Sequence, residues 1–336
     1  MEKEDISRYN RNKLAYLGLL AAIFLILAPN FFGAYLTHVL TMSLFFGYLG
    51  LAWNILGGYA GQFSFGHAAF FGIGAYTSTL LQIHYDVNPW FGLVCAGIAG
   101  AFLGLFVGYL CFRYGLKGPY FALAILAFAE MLRLLATQWM SLRYPLGISI
   151  PLKGDSLLAF QFKSKVPYFY ISLFMTSAMI WITRYIERRK LGLYFKAIRE
   201  NEEAAEALGI NVFKYKLIAM LLSAFFTAIG GTFYSQYYLI IEEESTFGTG
   251  VSVSVLLGPL IGGIGTVAGP LIGGAVLEFL SEMTRNLLGA YSGVHLMIYG
   301  GLLILVILFL PHGIWGGLRS LVNRSTSRGF IKNGPP

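Results

Sequence analysis

Charged residues are scarce in this 336-residue chain. Only 12% of its residues are Asp, Glu, Lys or Arg, whereas an ordinary soluble domain carries about 25%. Hydrophobic residues make up 57% of the chain and the mean hydropathy is +0.66. So little charge excludes an ordinary water-exposed surface. The composition therefore predicts an integral membrane protein.

The chain also lacks the residue patterns of catalytic and nucleotide-binding proteins. Its two cysteines, Cys95 and Cys111, fall in one apolar run and match no metal-ligand spacing, so we expect them to be packing residues. No G-x-x-x-x-G-K-[ST] loop is present to cradle phosphates, and no serine lies in a G-x-S-x-G elbow. We predict a chain that is not an enzyme, holds no metal or other cofactor, and depends on a partner for any ATP hydrolysis.

Long apolar runs recur along most of the sequence, each near the ~20 residues that a helix needs to cross a bilayer. They predict an all-α polytopic membrane protein with about 8–10 transmembrane helices, one segment of which is broken by Gly and Pro or re-entrant. The predicted spans are 14–29, 35–56, 64–82, 90–112, 119–138, 167–185, 216–240 and 293–311, and the broken segment is 251–280. The first span has no convincing cleavage site after it, so we expect a retained helix rather than a signal peptide.

The distribution of basic residues predicts the topology. The net charge is +8, and eight of the 24 Lys and Arg residues lie between Arg184 and Lys216. The positive-inside rule explains this clustering without a nucleic-acid partner and makes residues 186–215 a cytoplasmic loop. We likewise predict a cytoplasmic N-terminus at 1–13, a transmembrane domain at 14–311 and a basic cytoplasmic tail at 312–336.

Counting the crossings constrains the broken segment. Six spans separate the N-terminus from the loop 186–215, and the span 216–240 then ends outside. If the tail is inside, the segment 251–280 begins and ends on the outer side, so it is re-entrant or a pair of short half-helices. Its sequence agrees, because "GPLIGG" occurs at 258–263 and again at 269–274, and each proline removes a backbone donor. Irregular backbone at membrane depth is tolerated only where it is buried in protein or lines a watery cavity.

A second glycine-rich stretch, "GGYAGQFSFGHAAFFGIGAY" at 57–76, follows a span in the first half of the chain. Interrupted segments in both halves of a chain are typical of transporters built from inverted repeats, with the pathway at the repeat interface. The alternative is that the two segments share only their glycines.

The cytoplasmic loop contains "KAIRENEEAAEALGI" at 196–210, which is rich in strong helix formers and has Gly209 as a C-terminal cap. Its acids leave a narrow stripe of small residues, which is suited to a groove on a partner protein. The alternative is an amphipathic helix resting on lipid headgroups, which four acidic side chains disfavour.

This loop resembles the cytoplasmic loop of the permease subunits of ABC importers, whose EAA-type motif is followed by a glycine. Together with "LAWNILGGYAGQFSFGHAAFFGIGAY" and "GPYFALAILAFAEMLRL", the similarity points to the branched-chain amino acid permease group, on its LivM-like rather than its LivH-like side. It runs from about residue 40 to 310, so 14–311 is expected to be a permease domain with the coupling loop at 186–215.

The resemblance implies a bacterial inner-membrane complex. In this family a second, LivH-like permease subunit pairs with the chain, ATP-binding cassette subunits dock at the cytoplasmic loop, and a periplasmic or extracellular binding protein delivers leucine, isoleucine or valine. Members of the wider group import urea, amides and other small solutes, which stay as alternatives. The residues carried over to ATPase coupling are Ala197, Arg199, Glu200, Ala204, Ala205 and Gly209.

Five polar side chains within the spans are candidates for the permeation pathway. A histidine or carboxylate inside a membrane is a functional candidate by default, and the other three offer hydrogen bonds to a zwitterionic solute. The alternative for each is structural: an ion pair of Glu130 with Arg133, a hydrogen bond of His67 to a neighbouring helix, or, for the other three, satisfaction of backbone groups freed around the glycines. The candidates are Asn54, Gln62, Ser64, His67 and Glu130.

Two other functional classes stay open from the residues alone. A secondary transporter or channel would need no ATPase, and an acidic, alanine-rich docking loop argues against it. A membrane enzyme is disfavoured because neither a nucleophile elbow nor a metal cluster is visible.

Overall fold

The computed structural model describes residues 33–144 and 147–288, together with residues 29, 297, 300, 301, 304 and 313–317. The N-terminus 1–13 therefore lies outside the described residues, as do most of the predicted spans 14–29 and 293–311 and most of the tail 312–336. What is described is almost wholly helical, as the all-α prediction requires. The helices are α1 (Ala34–Asn54), α2 (His67–Tyr85), α3 (Pro89–Arg113), α4 (Gly118–Arg143), α5 (Val166–Arg188), α6 (Lys190–Glu200), α7 (Glu202–Ala207), α8 (Val212–Tyr238), α9 (Glu243–Phe247), α10 (Thr249–Gly262) and α11 (Ala268–Leu288).

Six stretches of the described helices are long and apolar enough to cross a membrane. They begin with α1 and its π-helical continuation Ile55–Tyr59, and include α3, most of α4, α5, α8 and the run Glu243–Gly262. Five of the predicted spans are thus confirmed to within a few residues. The span predicted at 64–82 is also a helix, α2, but it is not among the six.

The polar side chains of α2 explain that difference. Four polar residues lower the mean hydropathy of this helix: His67, Ser78, Thr79 and Gln82. All four are buried, so none of them faces lipid. A helix surrounded by other helices can carry such residues because its neighbours supply hydrogen bonds.

The broken segment 251–280 is a pair of helices, α10 and α11, joined by residues 263–267. The second helix is 21 residues long, so it is more than a half-helix. The two "GPLIGG" copies pack against each other: a Cβ added at Gly262 would lie 1.7 Å from the Gly269 carbonyl oxygen, and one at Gly273 would lie 1.9 Å from that of Gly258. The repeated hexapeptide is therefore the contact surface of a helical hairpin.

Helix α1 lies antiparallel to α8 at the centre of the bundle. His38 Nδ1 and the Tyr237 hydroxyl are 2.6 Å apart near one end of the pair. The Ser223 hydroxyl donates to the Ala52 carbonyl at 2.8 Å near the other end. The two helices thus run in opposite directions past the same neighbours.

The packing around this pair follows one pattern in both halves. Helix α11 packs antiparallel on α1, with Gly274 against Gly47, and α3 packs antiparallel on α8, with Gly104 against Ala224. The series α1, α2, α3 is thereby matched by α8, α10, α11, which is the arrangement expected of inverted repeats. The glycine-rich stretch at 57–66 and the turn at 263–267 are not equivalent in this pattern. They meet at the same end of the bundle, where the glycine-rich stretch follows α1 and the turn connects α10 to α11.

Helix α3 shows how glycine permits this packing. Gly97, Gly100 and Gly104 face α8, where an added Cβ would lie within 2.3–2.7 Å of a side chain. Phe102 and Phe106, on other faces of α3, are exposed. Small residues toward a helix and large apolar ones toward lipid are typical of membrane bundles.

A two-stranded antiparallel sheet closes the end of the bundle opposite α6 and α7. Strand β1 (Ile148–Ser149) pairs with β2 (Ile240–Ile241), and Ile148 lies opposite Ile241. The sheet ties the connection after α4 to the connection after α8.

We expect Gly273→Val to lower the free energy of unfolding by about 2 kcal/mol, because its side chain would collide with the backbone of Gly258 inside the α10–α11 hairpin. Gly250→Val on α10 is the matched control, since no atom lies within 4 Å of a Cβ added there. Denaturant titration of the purified protein in detergent measures both. Equal midpoints for the two variants would contradict this packing.

Candidate functional site

Helices α6 and α7 form a short angular element between α5 and α8. The sequence predicted one helix over 196–210, and this was wrong: the chain breaks at Asn201, whose φ and ψ are −161° and 114°. The Asn201 side chain accepts a hydrogen bond from the Ala204 N–H at 3.0 Å and so caps α7. Asparagine followed by Glu202 and Glu203 is an N-cap signal that the reading as one helix overlooked. Gly209 has φ +82° after the end of α7, as its predicted capping role requires.

The six residues carried over to ATPase coupling do not share one face. Glu200, Ala204 and Gly209 are exposed, whereas Ala205 is 2% exposed and Ala197 is half-buried. The exposed face also presents Glu203, Glu206 and Leu208. This face is acidic with one large apolar side chain.

Arg199 turns toward the bundle. Its Nη1 donates to the Gly58 carbonyl oxygen at 3.0 Å, and Nη2 donates to Glu200 Oε1 at 2.7 Å. The arginine also lies against Gly61, which has φ +69°; a Cβ there would be 2.7 Å from Arg199 Cγ. A Cβ added at Gly265 would lie 2.6 Å from Arg199 Nη1. Arg199 therefore touches both glycine-rich breaks.

Glu202, which the sequence did not single out, binds three other segments. Its Oε1 accepts from Gln62 Nε2 at 3.0 Å and pairs with the Lys216 ammonium group. Its Oε2 lies 3.6 Å from Lys117 Nζ. Lys216 is almost fully buried, so the carboxylate neutralises a charge that would otherwise lie unpaired in the protein.

A polar cavity of about 370 Å³ opens beside these contacts. Gly61, Gln62, Lys117 and residues 198–203 line it. Gln62, a pathway candidate, thus lies where α7 meets the bundle and is 5% exposed.

Asn54 joins the two breaks directly. Its Oδ1 accepts from the Gly265 N–H at 2.8 Å and its Nδ2 donates to the Thr266 carbonyl at 2.9 Å. The side chain is fully buried. Asn54 thus satisfies backbone groups in the turn 263–267. This is the structural role that the sequence offered as the alternative to a pathway role.

Ser64 and His67 belong to a buried hydrogen-bond chain. Because Ser223 donates its only hydroxyl proton to Ala52, it accepts from His67 Nε2 at 2.8 Å. His67 Nδ1 is then the acceptor for the Ser64 hydroxyl at 2.9 Å. Both side chains are fully buried, and this pattern requires a neutral imidazole.

Glu130 is the pathway candidate with an exposed side chain. It pairs with Arg133, as the spacing predicted, with Nη2 to Oε1 at 2.6 Å. The guanidinium group also reaches Glu244 Oε2 at 3.4 Å. The Glu130 side chain is 38% exposed, so the ion pair lies at the surface of the chain.

Comparison with known proteins identifies the family. A family model described as the permease component of the branched-chain amino acid transport system matches residues 35–307. The chain belongs to this family. Membership assigns it a permease role in a multi-pass membrane protein, as the sequence predicted.

Individual relatives of this chain agree. It is 27% identical to the high-affinity branched-chain amino acid transport system permease protein LivM of Salmonella typhimurium, over 82% of this chain and 69% of the relative. The LivM protein of Escherichia coli is 26% identical over the same shares. The LivH protein of Escherichia coli is 30% identical over 41% of this chain and 44% of its own.

The described part of the permease offers no site for metal chemistry. Within residues 33–144 and 147–288, no group of three or more His, Cys, Asp or Glu side chains could hold a metal ion.

We expect Ser223→Ala to destabilise the permease by about 1–3 kcal/mol, because it leaves the buried His67 Nε2–H without an acceptor. Ser164→Ala, at an exposed serine before α5, is the control and should cost less. Denaturant titration in detergent compares them. A neutral Ser223→Ala would mean that His67 does not depend on this hydrogen bond.

Proposed function

We propose that this chain is one permease half of an ABC importer for leucine, isoleucine and valine, driven by ATP hydrolysis in partner subunits. The observation that carries the proposal is the α6–α7 element, which presents an acidic face outward and is fastened by Arg199 and Glu202 to both glycine-rich breaks. A self-sufficient carrier has no use for such an element. The relatives named as branched-chain amino acid permeases support the choice of substrate.

The assembly follows from this role. A second, LivH-like permease completes the pathway, ATP-binding cassette subunits bind the exposed face of α6–α7, and a periplasmic or extracellular binding protein selects the solute. The chain lies in the bacterial inner membrane with both termini in the cytoplasm, which puts α6–α7 on the side where ATP is available. The domain boundaries are those of the sequence: 1–13, 14–311 with the coupling loop 186–215, and 312–336.

The site residues take two roles in this proposal. Glu200, Ala204 and Gly209 contact the ATPase, while Ala197, Arg199 and Ala205 hold the element against the permease. Among the pathway candidates, Glu130 borders the pathway because its side chain is exposed. The buried set Asn54, Gln62, Ser64 and His67 supports the pathway wall through the hydrogen bonds described above.

The direct test is uptake by proteoliposomes that contain both permeases and the ATPase subunits. Radiolabelled leucine should accumulate only when ATP is supplied on the side of the membrane that the ATPase subunits face and when the binding protein is present. Excess valine should compete, whereas urea and acetamide should not.

We also expect Glu130→Gln to reduce uptake per ATP hydrolysed if this side chain borders the pathway.

Two outcomes would replace the proposal. Uptake driven by an ion gradient in the absence of ATP would make the chain a secondary transporter. Competition by urea or amides, without competition by valine, would retain the importer and change its substrate.

A separate prediction concerns docking. We expect Ala204→Trp to reduce the ATPase subunit that co-purifies with the permease at least tenfold, because a bulky ring replaces a methyl group on the exposed face of α7. Leu152→Trp is the control, since this exposed residue precedes α5 at the opposite end of the bundle. Unchanged recovery with Ala204→Trp would move the docking surface elsewhere.

A further inference from the structure

We infer that Glu202 is the positioning residue through which movement of the ATPase reaches the membrane helices. The inference rests on the proposed function, and it assigns a role to a residue outside the set carried over from the resemblance. Its basis is that Glu202 holds α7 to three separate segments of the permease with one carboxylate.

The three partners of Glu202 come from distant parts of the chain. Gln62 belongs to the stretch between α1 and α2, Lys117 to the turn between α3 and α4, and Lys216 to the first turns of α8. The carboxylate is therefore a junction between α7 and the starts of three long helices. A displacement of α7 acts on all three at once.

Burial makes the contact with Lys216 strong. The lysine side chain is 5% exposed and that of Glu202 is 19% exposed, so water screens the pair poorly. Lys216 Nζ also lies 5.2 Å from the ring of Phe112, which stacks on Phe121 of α4. The Lys216 ammonium group therefore lies beside an aromatic contact between α3 and α4.

Arg199 supplies a second attachment on the same side of the element. It contacts Gly58 of the π-helical turn and lies against Gly265 of the 263–267 turn. The break at Asn201 lies between the two attachments, so α6 and α7 each direct one of them to the bundle. With two fixed points, rotation of the element by an ATPase is passed to the breaks and is not lost as hinge motion about a single contact.

The test measures coupling rather than stability. Glu202→Ala is combined with Lys216→Met so that no buried charge is left unpaired, and Asp155→Ala, an exposed acid in the connection before α5, is the control. In the reconstituted complex we expect the double variant to keep ATP hydrolysis within twofold and to take up at least fivefold less leucine per ATP. The control should keep the wild-type ratio.

Rescue separates positioning from simple loss of fold. The exchanged pair Glu202→Lys with Lys216→Glu restores the link between α7 and α8 with reversed charges, and it should recover at least half of the uptake per ATP. A double variant that keeps a wild-type ratio would overturn the inference, as would an exchanged pair no better than the neutral pair.

A second readout does not depend on the solute. In the full complex, with the native cysteines replaced, Phe65→Cys reports on the stretch between α1 and α2 through the rate at which the new thiol is labelled. A non-hydrolysable ATP analogue should change this rate at least threefold in the otherwise wild-type complex and leave it unchanged in the neutral pair. If leucine is not transported but labelling still responds in this way, the substrate proposal fails and the role of Glu202 stands. If the ATP analogue changes the labelling rate equally in the wild-type complex and in the neutral pair, the Glu202→Ala, Lys216→Met double variant, the role of Glu202 is overturned and the substrate proposal is unaffected.

Discussion

The constraint on which the structure depends is that a bilayer offers no hydrogen-bond partners to a broken helix. The described chain interrupts its helices around Gly58 and again at 263–267, and it brings both interruptions to the same end of the bundle. Asn54 then uses both ends of one amide to bond Gly265 and Thr266. Arg199 covers Gly58 from the other side. The position of α6 and α7 follows from this, because they supply the polar groups that the breaks require.

Close approach of the helices is the second part of the same solution. Lipid is as apolar as leucine, so helices in a membrane gain little from hiding large side chains, and packing between small residues takes over. Gly258 and Gly273 allow α10 and α11 to touch through their backbones, and Gly104 does the same for α3 and α8. These contacts hold the helices together along their length, and polar contacts join α1 to α8 near both ends of the pair. In the proposed importer, movement of α6–α7 would thus enter a bundle whose helices are already tightly paired.

The sequence predicted the features that depend on local composition. Spans such as 90–112 and 167–185 stand out because each is an apolar run flanked by charge. The "GPLIGG" repeat predicted a break, and the break lies between its two prolines: Pro259 is inside α10 and Pro270 is in the first turn of α11, where proline is tolerated. The division at Asn201 had a local signal, an N-cap residue before two acids, but strong helix formers on both sides obscured it. The junction at Glu202 had no local signal, since Gln62 is 140 residues away from it. The resemblance likewise identified which residues belong to the coupling loop but not which way their side chains face. It therefore grouped Arg199 and Ala205, which contact the bundle, with residues that face away from it.

The buried polar side chains bear on how such a permease handles solutes. Asn54, Ser64 and His67 were attractive as ligands for a zwitterion, yet each makes its hydrogen bonds within the protein, to the backbone of a break or along the chain that ends at Ser223. Breaking those bonds to hold an amino acid would expose buried groups, at about 1–3 kcal/mol for each one left unpaired. In the proposed importer, side chains whose hydrogen bonds are already satisfied would bind solute weakly, which favours release. Selection among solutes would then belong to the separate binding protein, and the α6–α7 element would control the opening of the permease.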